Sequence, residues 1–217
     1  MPKRKINRNP LGKNYFLVDT NFLVNKYIKP AYYDRLPDSQ GKWKNEKRRV
    51  EKCLSWWEEI DNQLKKGKAR VYIPDVCIAE AFKVLAQKYY KDHVFKTPQE
   101  HINAKRRLST EITTSVNTLR AYKRKIKYHD VSTCRDIIIS VDRFLEMFMK
   151  KGGKVQIADL MVIATAKYLM DFYDIPRDFL HIVTLDEALC AGAKLLPDLP
   201  RPFNPSESSC DVHRVFE

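Results

Sequence analysis

Apolar and polar positions change period several times along this chain, and each change marks an element. Tyr15-Phe16-Leu17-Val18 is an unbroken apolar run of strand formers, which predicts a strand buried on both faces. It stops at Asp19-Thr20-Asn21, where Thr20 or Asn21 can cap a helix from Phe22 to about Ile28, with Pro30 as its stop. Residues 30–42 carry Pro30, Pro37, Asp38, Ser39 and Gly41 and read as a loop. Val50, Leu54, Trp57, Ile60 and Leu64 then recur at helical spacing over 43–66, and Gly67 is a stop. Trp56 and Trp57 belong to the packing face of that helix.

Arg70-Val71-Tyr72-Ile73 predicts a second strand. Pro74-Asp75 opens the next helix, with Asp75 as its N-cap and Val76, Ala79, Phe82 and Leu85 among its apolar positions. From Pro98 to Lys151 the pattern predicts two helices. One runs from Gln99 to Tyr122 or beyond. The other runs from Ser132 or Thr133 to Met149, with apolar Ile138, Val141, Leu145 and Phe148 and with Gly152-Gly153 ending it. Residues 155–166 are almost wholly small or apolar, as in a buried helix. His181-Ile182-Val183-Thr184 predicts a further strand, followed by a helix from Glu187 to about Leu195 and a small strand near Val212–Phe216. Strands separated by helices predict an α/β fold with a central parallel sheet.

Net charge sharpens this picture. The chain of 217 residues carries +13, with 40 Lys and Arg against 27 Asp and Glu. The balance is +9 over residues 1–68, +8 over 69–151 and −4 over 152–217. A positive field over two thirds of a chain attracts polyanions, nucleic acid first. Five scattered cysteines with no CxxC pair argue against a disulfide framework or a zinc site. No apolar run is long enough to span a bilayer, and the basic tail over 1–12 lacks the apolar stretch of a secretory signal. These features predict a soluble cytoplasmic protein without a membrane partner. One domain over 13–217 is expected, with basic helical insertions at about 30–68 and 93–151.

Four acidic residues stand at chemically suggestive places: Asp19 and Asp186 after predicted strands, Asp159 in the first turns of a buried helix, and Glu80 inside another helix. In a parallel sheet, the carboxyl ends of strands are where sites form. Clustered carboxylates are costly there unless a cation or hydrogen bonds compensate. Hard oxygen donors of this kind suit Mg²⁺ or Mn²⁺. Taken singly, each also has a structural reading: a helix cap for Asp19, an ion-pair partner for Glu80, a dipole partner for Asp159 and a turn residue for Asp186.

The run Phe-Leu-Val-Asp19-Thr-Asn-Phe-Leu-Val is followed in order by Ile-Pro-Asp-Val-Cys-Ile-Ala-Glu80-Ala-Phe, Ala-Asp159-Leu-Met-Val-Ile-Ala-Thr-Ala and Ile-Val-Thr184-Leu-Asp186. This order resembles the PIN-domain family. The resemblance implies a three-layer α/β/α sandwich and a Mg²⁺- or Mn²⁺-dependent endoribonuclease. Asp19, Glu80, Asp159 and Asp186 would hold the metal and form the catalytic set, supported by Asn21 and Thr184. It also implies RNA as partner, with an antitoxin protein or a homodimer as further assemblies, because many relatives are toxins and others process RNA. Basic candidates for gripping RNA are Lys105, Arg106, Arg107, Arg120, Lys123, Arg124, Lys125 and Lys127. Two other readings stand beside this one: a catalytically inactive module that binds RNA or a partner, and a structure-specific DNA nuclease.

Overall fold

The computed structural model describes residues 13–37, 41–112, 128–150, 156–194 and 198–207. Five parallel strands form one sheet in the order β3-β2-β1-β4-β5. They are β1 (Asn14–Val18), β2 (Ala69–Pro74), β3 (His129–Val131), β4 (Leu180–Val183) and β5 (Arg201–Phe203). Every residue of β4 is buried, as are three consecutive residues of β1. A strand buried at successive positions is covered on both faces. The parallel α/β sheet expected from the pattern, and the α/β/α sandwich that the resemblance implied, are therefore present.

The helices are α1 (Thr20–Asn25), α2 (Lys42–Lys65), α3 (Asp75–Tyr90), α4 (Pro98–Ile112), α5 (Arg135–Lys150), α6 (Ile157–Tyr173) and α7 (Glu187–Lys194). Several boundaries differ from the expectation. The first helix ends at Asn25, not Ile28, and the loop after Pro30 holds a 3₁₀ helix over Pro30–Arg35. Pro74, not Asp75, occupies the cap position of α3. Asp75 instead ties the start of α3 to the segment after β3: its Oδ2 accepts from Thr133 N at 2.9 Å and its Oδ1 from Thr133 Oγ1. Strands β3 and β5 are three residues each, too short for a periodic signal. The strand expected at 212–216 lies outside the described residues.

Of the apolar positions named along α5, Phe148 is buried and Val141 packs partly buried against the core. Ile137, Phe144 and Phe148 are buried, whereas Ile138 is 57% exposed and Leu145 also faces out. Ile137, Ile138 and Ile139 stand in succession, so the periodicity of α5 does not single out one buried stripe.

Helix α2 packs into the core through Val50, Cys53, Trp56, Trp57 and Ile60. The Trp57 ring stacks on Phe22 at 4.8 Å, and its Nε1 donates to the Phe22 carbonyl at 3.1 Å. The assignment of both tryptophans to packing holds. Below them Lys26, at 8% exposure, sits over the Trp57 and Tyr128 rings. Its Nζ pairs with Asp61 at 3.0 Å and Glu111 at 3.6 Å, and hydrogen-bonds the Tyr128 hydroxyl. This buried cation joins α1, α2 and α4. No helix of the described residues is long and apolar enough to cross a membrane.

Candidate functional site

Strand order puts a crevice at one place. Strands β2 and β3 lie on one side of β1, and β4 and β5 lie on the other. The chain therefore reverses its direction of growth between β1 and β4, and ligand sites of open α/β sheets form outside the carboxyl ends at such a point. Register places Val18 opposite Val183. The residues that follow them, Asp19 and Thr184, stand at that crevice.

Asp19 occupies the N-cap position of α1 but makes no side-chain capping bond. Its Oδ2 instead accepts from Thr184 Oγ1 at 2.8 Å. Its amide continues the ladder by donating to the Val183 carbonyl at 3.0 Å. At 6% exposure the carboxyl is nearly dry. Burial pushes its pKa up to about 6; hydrogen bonds from Thr184 and the Thr20 backbone oppose this, and the charges of Asp159 and Asp186 add to it.

Thr184 is fully buried and has two further bonds. Its amide donates to the Phe203 carbonyl at 3.0 Å, and its hydroxyl accepts from the Asp186 amide at 2.9 Å. One hydroxyl thus holds Asp19 and the Asp186 turn together. Asp186 in turn caps α7, its Oδ1 accepting from the Leu189 amide at 2.9 Å. Asp159, in the first turn of α6, accepts from the Gln156 amide at 3.1 Å through Oδ2. Its pKa is raised, first by burial and then by the charges of Asp186 and Glu80. Glu80 accepts from Thr20 Oγ1 at 2.9 Å through Oε2, and among the described residues no Lys or Arg pairs with it.

Asp19, Asp159 and Asp186 thus lie within electrostatic reach of one another, and Glu80 within reach of Asp159, with Thr184 linking Asp19 to the Asp186 turn. Asn21 is exposed at the start of α1 and shares with Asp186 the wall of a cleft of about 510 Å³. Arg49, Lys88, Glu46 and Asp92 also line this cleft. Lys105, Arg106 and Arg107 are exposed on α4, away from that lining, with the Arg107 guanidinium 5.6 Å from the Tyr27 ring. Arg120, Lys123, Arg124, Lys125 and Lys127 lie outside the described residues.

Two contributions escaped sequence reasoning. Thr20 is buried and positions Glu80, and its only signal was a hydroxyl between Asp19 and Asn21. Arg49 and Lys88 reach the cleft from α2 and α3, which no local pattern reveals.

The donor set is all oxygen, which suits a hard divalent cation and not zinc. Among the described residues, no group of three or more His, Cys, Asp or Glu is placed to hold a metal ion. Mg²⁺ needs only one or two direct carboxylates and keeps several waters, so the remaining acids would act through water. An ion held by one or two of these carboxylates together with its own waters is the form this donor chemistry would allow.

Comparisons with known proteins correct one expectation. No family model matches this chain, and no curated protein matches it. Similar solved structures include FitAcB from Neisseria gonorrhoeae, at 16% identity and TM-score 0.49, covering 88% of this chain and 97% of that one. A second is VapBC2 from Rickettsia felis bound to a DNA fragment from their promoter, at 12% identity and TM-score 0.45, covering 88% and 98%. A third is FitAB bound to an IR36 DNA fragment, at 16% identity and TM-score 0.47, covering 88% and 94%. Membership of the PIN-domain family, implied by the motif order, is overturned by the missing family match and these low identities. The motifs are short, and an Asp after an apolar strand or a Thr-x-Asp turn arises in many sheets.

Proposed function

We propose that this chain is a divalent-metal-dependent endoribonuclease. The observation that supports it best is the Thr184 hydroxyl, which draws Asp19 and the Asp186 turn into one carboxylate cluster at the sheet's switch point. A cluster of like charges is unfavourable without a cation, and no cationic side chain is paired with Asp19, Asp159, Asp186 or Glu80 among the described residues. Asp19, with Asp159, Asp186 and Glu80 around it, would hold Mg²⁺ or Mn²⁺. The cation supplies activation of water and neutralisation of charge on a scissile phosphodiester. Thr184 and Thr20 fix the directions of Asp19 and Glu80, and Asn21 and Arg49 stand where substrate enters. The surplus of 13 positive charges favours a polyanionic substrate.

Incubation of labelled RNA with Mn²⁺ tests the reading, with a matched DNA oligonucleotide as control. Cleavage is expected for RNA, absent in EDTA and absent in Asp19→Asn. Full cleavage by Asp19→Asn would remove the basis for the assignment.

A further inference from the structure

Helix α3 has two opposed faces. Cys77, Ala81 and Leu85 are buried. Lys83 and Tyr90, two turns apart, are exposed on the side away from these, with half-buried Glu80 and Gln87 on the flank beside them, and exposed Lys91 follows the last helical residue, so the five form one stripe. This stripe begins at the acidic cluster, where Glu80 meets Thr20, and it ends at Tyr90. At about 1.5 Å per residue the separation is roughly 15 Å, or about four stacked nucleotides.

The far end has the chemistry of a base platform. Tyr90 is 69% exposed, and Tyr89 braces its ring edge-on at 4.7 Å. An open groove of about 550 Å³ beside it is lined by Tyr89, Phe95, His93, Arg35 and Lys96. Arg35 is paired with Glu100 at 2.8 Å, while Lys83, Lys91 and Lys96 are exposed and have no ion pair among the described residues. Aromatic rings interleaved with exposed cations are the surface on which single-stranded nucleic acid stacks.

We infer that α3 is a substrate track: Lys83 and Lys91 contact phosphates, and Tyr90 stacks a base of the same single strand whose backbone lies at the acidic cluster. This rests on the nuclease reading and gives it a substrate form, an unpaired strand at least four nucleotides long. Double-stranded substrate cannot offer a base face to Tyr90.

Binding tests it independently of cleavage. A 12-nucleotide single-stranded RNA is titrated, at several salt concentrations, against the full chain carrying Asp19→Asn. Adding Tyr90→Ala weakens binding on the order of 10-fold without changing the salt slope, and Tyr90→Phe restores it. Adding Lys83→Ala and Lys91→Ala lowers the salt slope by about 1.4, as two lost phosphate contacts require. Heparin, which has charge but no bases, binds with no dependence on Tyr90. Unchanged RNA affinity in Tyr90→Ala, or an equal loss for heparin, overturns the track. Continued cleavage by Asp19→Asn alone would instead overturn the nuclease site and leave the binding result standing.

Discussion

The Thr184 hydroxyl donates to Asp19 Oδ2 at 2.8 Å while accepting the Asp186 amide at 2.9 Å. It therefore couples the carboxyl ends of two adjacent parallel strands through a single atom. Thr184→Val keeps the shape of the side chain and deletes both bonds. Loss of a group that orients a metal ligand typically costs 10- to 100-fold in affinity. Titration with Mn²⁺ should show that loss in Thr184→Val and near-normal affinity in Thr184→Ser. Equal affinity in the two variants would mean that Thr184 is structural only.

Asp19 sets a pH dependence in the metal-free protein. Its folded pKa of about 6 lies above the ordinary 3.8, mainly through burial. The favourable neutral form is fully present below about pH 4, and its contribution is lost as pH rises through about 6. The whole effect is on the order of 2 to 3 kcal/mol at 1.36 kcal/mol per pKa unit. In EDTA, Asp19→Asn should melt higher than the parent at pH 8 and equally at pH 4. Saturating Mn²⁺ should raise the melting temperature of the parent and not of the variant.

His181 opposes that slope. It is buried between the Phe16 and Phe203 rings, its Nε2 hydrogen-bonded to Asn14 Oδ1 at 2.8 Å. Burial pulls its pKa down to about 4 from the usual 6.5. Its contribution is present above pH 6.5 and is lost as pH falls through about 4. Replacement by Gln should flatten the acid limb of a melting-temperature profile between those values, at some cost in stability at pH 7. A profile as steep as the parent's would assign the acid sensitivity elsewhere.

Lys26 is the charge most dependent on its neighbours. Lys26→Met leaves Asp61 and Glu111 without the cation that both face in the interior. Removing one member of a buried ion network costs about 3 to 5 kcal/mol. Both acids retain about a fifth of their side-chain exposure, so the lower figure is expected from urea unfolding. Mn²⁺ affinity should be unchanged, since none of these groups lies in the acidic cluster.

Gly192 of α7 lies against the Phe148 ring of α5. A Cβ there would meet Phe148 Cε1 at 2.7 Å and Cζ at 3.0 Å. Gly192→Ala must displace a ring that is almost fully buried, a cost of about 1 to 3 kcal/mol. Combining it with Phe148→Leu should recover part of that loss, and unfolding curves of the single and double variants check this.

The runs Tyr15–Val18 and His181–Thr184 located their own strands to within a residue, because a largely apolar stretch between polar turns has few other stable fates. The order of Asp19, Glu80, Asp159 and Asp186 likewise carried the idea of a cation, since each acid adjoins an apolar element that would otherwise exclude charge. The family did not follow from that order, because four short motifs specify local turns and not ancestry. Strand order, the three-residue strands β3 and β5, and the buried face of α5 depended on tertiary packing, which decides which of several apolar faces is covered. The same holds for Thr184 and Thr20. A threonine hydroxyl gains its role only when parallel pairing of β1 with β4, and packing of α1 on α3, bring an acid 165 or 60 residues distant within hydrogen-bonding reach.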